Sequence, residues 1–177
     1  MRKYGDYKSV GNWLKAHVAC GVKTNVITAV EISGGTGNDH PYFTPLVQAT
    51  ARNFTMAEVS ADKAYLSRAN LALVDSHGAV PFIPFKRNQD GRESSSRLWE
   101  KMWRYFQFQQ EDFMAHYHQR SNVETTFSMI KRKFGSDLRS KSDVGQVNEL
   151  LAKVVAHNIC CLNHAIQDFG LEPVFWR

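Results

Sequence analysis

The chain has 177 residues, with 22 Lys and Arg against 17 Asp and Glu, a formal charge of +5 and 43% hydrophobic residues. That is enough apolar material for one packed domain, and it excludes a disordered or collagen-like chain. No stretch approaches the roughly 18 uninterrupted apolar residues of a membrane-spanning helix, so the expectation is a cytoplasmic protein with no membrane partner. Cys20 and the adjacent Cys160 and Cys161 form neither an even set nor a CxxC pair, which fits a reducing compartment.

Residues 1–177 read as a single domain, with an unpatterned start at 1–10, a patterned region at 11–171 and a polar loop at 86–96, KRNQDGRESSS. Trp13 to Cys20 alternates in side-chain character and Asn25 to Ile32 is rich in β-branched residues, which predicts a β-hairpin across Gly21 to Thr24. Gly34 to Gly37 ends the second strand. Asn38 or Asp39 can cap a helix whose apolar residues Phe43, Leu46 and Val47 recur at helical spacing to about Asn53.

Met56 to Asp62 predicts a short strand ending in a carboxylate, and Ser67 to His77 a helix stopped by Gly78. Val80 to Phe85 is apolar but contains Pro81 and Pro84, which confine it to a sheet edge. Three helices follow, over Arg97 to Phe108, about His116 to Phe134, and Val144 to Phe169. The order β-β-α-β-α-β-α-α-α is an α/β plan with an antiparallel hairpin in front.

Chemistry concentrates in Tyr117 to Lys131. At about 100° per residue, Val123, Phe127, Ile130 and Phe134 share a face expected to be buried, while Tyr117, Arg120, Glu124 and Lys131 fall within about 60° of arc beside it. The plain alternative is a solvated face with Arg120 and Glu124 as an i,i+4 ion pair worth only about 0.2–0.5 kcal/mol. From His116 to Lys141 six cations (Arg120, Lys131, Arg132, Lys133, Arg139, Lys141) stand against Glu124 and Asp137, a net of +4, so most of the excess charge lies here. A carboxylate within such a cluster suits metal-assisted phosphodiester chemistry, with the acid holding a divalent ion and the cations holding phosphates.

Tyr117, Arg120, Glu124 and Lys131 match the Y-x2-R-x3-E-x6-K signature of the DDE transposases of bacterial and archaeal insertion sequences, and the chain resembles that family from about Gly11 to Leu171. Trp13, Lys15 and His17 resemble its W-x-K-x-H strand, Gly37-Asn38-Asp39 its G-N-D turn, Asp62 and Tyr65 its A-D-x-x-Y segment. Asn148, Glu149, Lys153 and His157-Asn158-Ile159 resemble its closing helix. The resemblance implies an RNase H-like mixed sheet with flanking helices, in which three carboxylates bind two divalent ions, magnesium or manganese. One ion activates a water or a 3′-hydroxyl and the other stabilises the leaving oxygen.

Carried over residue by residue, Asp62 is the second carboxylate and Glu124 the third, both catalytic and metal-binding. Tyr117, Arg120, Lys131, Arg132 and Lys133 are the DNA-phosphate contacts. The partners implied are DNA, as element ends and target, and another transposase chain. The first carboxylate has no counterpart: it belongs to a central strand upstream, the sequence begins 12 residues before Trp13, and Asp6 lies in a polar run without strand character. The expectation is therefore a truncated, catalytically inactive copy whose sheet lacks its first strand. The alternatives are a non-catalytic nucleic-acid-binding remnant or a decayed product.

Two further constellations have bland readings. His157, Cys160, Cys161 and His164 are zinc-type residues at i, i+3, i+4 and i+7, but one helix rarely supplies four tetrahedral ligands. Trp99, Trp103, Tyr105, Phe106 and Phe108 could stack on unpaired bases, and are expected instead to form core. His17 is expected to be a hydrogen-bonded structural histidine.

Overall fold

The structure, a computed structural model, describes residues 14–35, 38–87, 89–91, 96–170, 172 and 174. Trp13, Gly37, Asp6 and Leu171 lie outside the described residues, as does part of the 86–96 loop. Strands β1 (Leu14–Cys20) and β2 (Ile27–Gly34) form the expected antiparallel hairpin, in the register His17 opposite Glu31 and Val18 opposite Val30. Asn25 takes φ 57° where the chain turns into β2.

A 3₁₀ turn, His40–Tyr42, leads into α1 (Phe43–Ala51), and the Asn38 side chain accepts from the His40 N–H at 3.2 Å. Helix α1 begins at Phe43, where its apolar spacing begins, so Asn38 and Asp39 precede the 3₁₀ turn rather than cap the helix directly. Strand β3 (Glu58–Ser60) pairs in parallel with β4 (Val80–Phe82), Pro81 lying opposite Val59. Between them α2 (Arg68–Ser76) starts at Ser67, whose hydroxyl accepts from Asn70 N–H at 3.1 Å.

Helix α3 (Arg97–Phe108) has the predicted ends, and its first turn is capped by Ser96. The single helix expected over His116 to Phe134 is instead two. Helix α4 (Gln110–His118) runs into a 3₁₀ turn at Gln119–Ser121, and α5 (Asn122–Phe134) resumes beyond it. Helix α6 (Asp143–Phe169) closes the fold with the Ser142 hydroxyl as its N-cap. No helix among the described residues is long and apolar enough to cross a membrane.

One mixed sheet is not what forms among the described residues: β1 pairs only with β2, and β3 only with β4. Two cores follow. Phe43, Val47, Leu71, Val74, Phe82, Ile83, Trp99, Met102 and Phe113 are buried together, drawing on α1, α2, β4, α3 and α4. Ile27, Ile130 and Val154 form a smaller cluster where the hairpin meets α5 and α6. On α5 the deepest residue is Thr126, with Ile130, whereas Val123, Phe127 and Phe134 are only half-buried. The buried stripe is thus rotated by about one position, and the Thr126 hydroxyl is buried with its hydrogen bond satisfied by the Asn122 carbonyl at 2.9 Å. The outer side of α6 leaves Val155 and Ile159 exposed.

Of the five aromatics of α3, Trp99 is buried and Trp103, Tyr105 and Phe106 pack against the larger core, as expected, but Phe108 is 79% exposed.

Candidate functional site

Asp62 leaves β3 in extended conformation and opens the 3₁₀ turn Lys63–Tyr65, its carbonyl accepting the Tyr65 N–H at 2.9 Å. The strand that carries it is tied to the end of α4. Glu58 pairs with His116 Nδ1 at 2.6 Å, and the Ser60 hydroxyl donates to the His116 carbonyl at 2.9 Å. The His116 ring stacks on Phe82 at 4.3 Å, within 8° of parallel. These bonds hold the turn after α4 against the strand end, so Tyr117 and Arg120 stand beside Asp62.

Arg120 is the centre of the arrangement. Its Nε donates to the Tyr117 hydroxyl at 2.8 Å, and its guanidinium carbon lies 5.3 Å from the Tyr117 ring centroid. One terminal nitrogen is 3.9 Å from an Asp62 oxygen and the other 3.7 Å from a Glu124 oxygen. Burial works against its charge, but the Tyr117 hydroxyl, Asp62 and Glu124 outweigh it and raise its pKa. One guanidinium therefore gathers two carboxylates from separate elements. The site is open: the side chains of Arg120, Asp62 and Glu124 are 34%, 46% and 75% exposed, so these ion pairs add little stability.

The 3₁₀ turn matters to this geometry. Tyr117 ends α4, Arg120 sits in the turn and Glu124 is in the first turn of α5, so the stripe expected on one continuous helix is folded at Arg120. Lys131, Arg132 and Lys133 lie in the last turn of α5, all exposed, where the helix C-terminus favours cations. Among the described residues they carry no ion pair, and Lys131 is not among the groups bonded to Arg120.

A second polar group neighbours the first. Lys15 and Asp39 are paired, and His17 is buried, hydrogen-bonded to the Ser33 hydroxyl at 2.9 Å and stacked on Tyr42 at 4.0 Å, the structural role expected of it. Desolvation lowers the His17 pKa despite Asp39 at 3.8 Å. Burial, then the charges of Asp39 and Asp62, raise the pKa of Tyr65. His157 and Cys161 turn toward the hairpin, whereas His164 is exposed and paired with Asp168.

Glu58, Ser60, His116 and Asn158 carry roles that sequence reading missed. Asn158 resembles part of the closing helix, but its work is visible only in three dimensions: it accepts the Ile27 N–H and donates to the Ile27 carbonyl, both at 2.8 Å.

The described fold is of the α/β class, two small sheets covered by helices. Its family follows from comparison: the family model for the transposase DDE domain matches residues 2–159, and the chain belongs to that family. The match starts within the stretch that periodicity leaves unpatterned and stops at Ile159, short of the expected Leu171. No curated protein and no solved structure matches. DDE transposases act on DNA and generally use divalent metal ions. The donors fit such ions in kind, since carboxylate oxygens suit magnesium and manganese. They do not fit in number: among the described residues no three His, Cys, Asp or Glu side chains are gathered so as to hold a metal ion.

Proposed function

We propose that the chain is the catalytic domain of an insertion-sequence transposase, RNase H-like in plan, with Asp62 and Glu124 as two of its metal-binding carboxylates. What carries this reading is the Arg120 guanidinium, which brings acids 62 positions apart to within 4 Å of its two terminal nitrogens. Tyr117 fixes Arg120, Arg120 stands between Asp62 and Glu124, and Lys131, Arg132 and Lys133 meet DNA phosphates. Phosphate contacts position a duplex without reading its sequence, so binding is sequence-tolerant and strongly salt-dependent. Asp62 and Glu124 alone do not hold two ions, so these two residues by themselves give close to no strand cleavage or transfer, and DNA binding is the activity that this basic surface supports.

The test pairs a binding and a cleavage assay on the purified chain. Manganese binding, followed by the loss of its free-ion spin-resonance signal, is expected to be weak and to fall further in Asp62→Asn and Glu124→Gln. Duplex nicking with magnesium or manganese is expected to be undetectable. Robust nicking that disappears in Glu124→Gln would mean that another residue completes the site, and DNA affinity indifferent to salt would remove the phosphate reading.

A further inference from the structure

Helix α5 ends at Phe134, and Gly135, at φ 84°, turns the chain away from it. The seven residues that follow before Asp143 include Arg139 and Lys141 and have no regular structure of their own. They are nevertheless fastened along their length by two side chains one turn apart on α6. The Lys153 ammonium donates to the Gly135 carbonyl at 3.3 Å and to the Asp137 carbonyl at 2.7 Å, so it grips the start of the loop. The Glu149 carboxylate accepts the Arg139 N–H at 2.9 and 3.1 Å and the Ser140 N–H at 2.9 Å, so it grips the end. Lys153 and Glu149 are themselves 3.6 Å apart, each mostly buried.

We infer that Glu149 and Lys153 hold the loop from Gly135 to Ser142 as a preformed grip for the DNA backbone, extending the Lys131–Lys133 cations with Arg139 and Lys141. The inference rests on the DNA-phosphate reading above and adds a loop and two positioning residues to it.

Three observations support it. The carboxylate and the ammonium are spent on the loop's backbone, which leaves the side chains of Arg139 and Lys141 outward. Both are exposed, as are Lys131, Arg132 and Lys133, and none of the five has an ion pair among the described residues. The Ser140 and Arg139 N–H groups hold the Glu149 carboxyl down to about 2, so it stays ionised and keeps its grip wherever DNA is bound. Gly145 lets the loop lie close on α6: a Cβ there would meet Ser142 Oγ at 2.8 Å and Ser140 Cβ at 3.1 Å. A loop ordered in advance spares the ordering cost that binding would otherwise carry.

Glu149→Gln separates this idea from simple charge counting. It removes a negative charge beside a basic surface, so electrostatics alone predicts tighter DNA binding. Loss of the preformed loop instead predicts binding weakened about three- to tenfold, the cost of ordering one or two side chains. Anisotropy of a labelled duplex between 50 and 200 mM salt reads both, with circular dichroism confirming that the variant is folded. Gly145→Ala should weaken binding in the same direction without changing any charge. Arg139→Ala with Lys141→Ala should lower the salt slope by about 2, near 0.9 for each lost phosphate contact. Unchanged or tighter binding by Glu149→Gln, or an unchanged slope in the double variant, overturns the inference. If replacing Lys131, Arg132 and Lys133 by Ala also leaves affinity and slope unchanged, the DNA-phosphate reading itself has failed, which is a different result.

Discussion

The two cores of this domain are held by different forces. Around α1 to α4 the interior is apolar and aromatic: Phe82, Phe85, Trp99, Phe106 and Phe113 meet edge to face or tilted, at centroid distances between 5.0 and 5.8 Å. Between the hairpin and α5 and α6, Ile27, Ile130 and Val154 are the buried apolar residues of the cluster among the described residues, and directional polar bonds supplement them. Asn158 grips Ile27, His157 bonds to the Asn25 carbonyl at 2.9 Å, and Asn122 reaches the Gly21 and Val22 carbonyls at 3.2 and 2.9 Å. Apolar burial is non-directional and tolerates repacking, whereas a buried polar contact holds one register and is costly when half of it is lost. The candidate site draws on both regions: Asp62 and Tyr117 belong to the side of the larger core and Glu124 to that of the smaller, with Arg120 at the seam.

The largest effect should come from the aromatic side. Phe113→Ala, at a fully buried position touched by Phe82, Tyr105 and Phe106, is expected to cost about 3–5 kcal/mol in urea denaturation. A loss below about 1 kcal/mol would mean that this core is not where stability resides. Asn158→Ala should cost about 2 kcal/mol, because it strands both polar groups of Ile27. Its distinctive sign is local: hydrogen exchange at the Ile27 amide should accelerate while amides of α2 and α3 keep their protection. Uniform acceleration would show one cooperative core rather than two.

Thr126→Val probes the polar side more gently. The hydroxyl donates to the Asn122 carbonyl at 2.9 Å and lies 3.4 Å from Asn25 Oδ1, so its removal should cost about 0.5–1.5 kcal/mol. The smallest effect is confined to acid. The Glu149 carboxyl is lowered from 4.5 to about 2 by its backbone partners, so its contribution is fully present above about pH 4.5 and is lost as pH falls toward 2. Amides of Arg139 and Ser140 should lose protection across that window, and Glu149→Gln should abolish the pH dependence. Protection that persists at pH 2 would show that other bonds hold the loop.

Most elements were legible because local signals agreed with the tertiary answer. The helical spacing that Gly78 stops, the apolar run of Val80 to Phe85 and the β-branched run after Asn25 each placed an element within a few residues. Helix α4 was not legible, since Gln109, Gln110, Glu111 and Asp112 give no apolar stripe and only Phe113 is deeply buried. The break at Gln119 to Ser121 was hidden for the opposite reason: the helical spacing of Tyr117, Arg120 and Glu124 continues through it. For the site, spacing found Tyr117, Arg120 and Glu124, and family resemblance found Asp62. Neither could reveal Glu58, Ser60 and His116, whose role is to join two elements 58 positions apart. Such bonds leave no periodic trace in a sequence.

The bond between Asn158 and Ile27 spans 131 positions. On a ribosome adding about 5–20 residues per second, the hairpin emerges some 7–26 s before the asparagine that secures its second strand. Hairpins close in microseconds, so β1 and β2 have ample time to pair, yet an isolated two-stranded ribbon is marginal in water. The edge of β2 at Ile27 therefore spends synthesis with its N–H and carbonyl open to other chains. Partial products ending before α6 should be the aggregation-prone species, and a chaperone that shields strand edges should raise the yield of the full chain more than one acting after release.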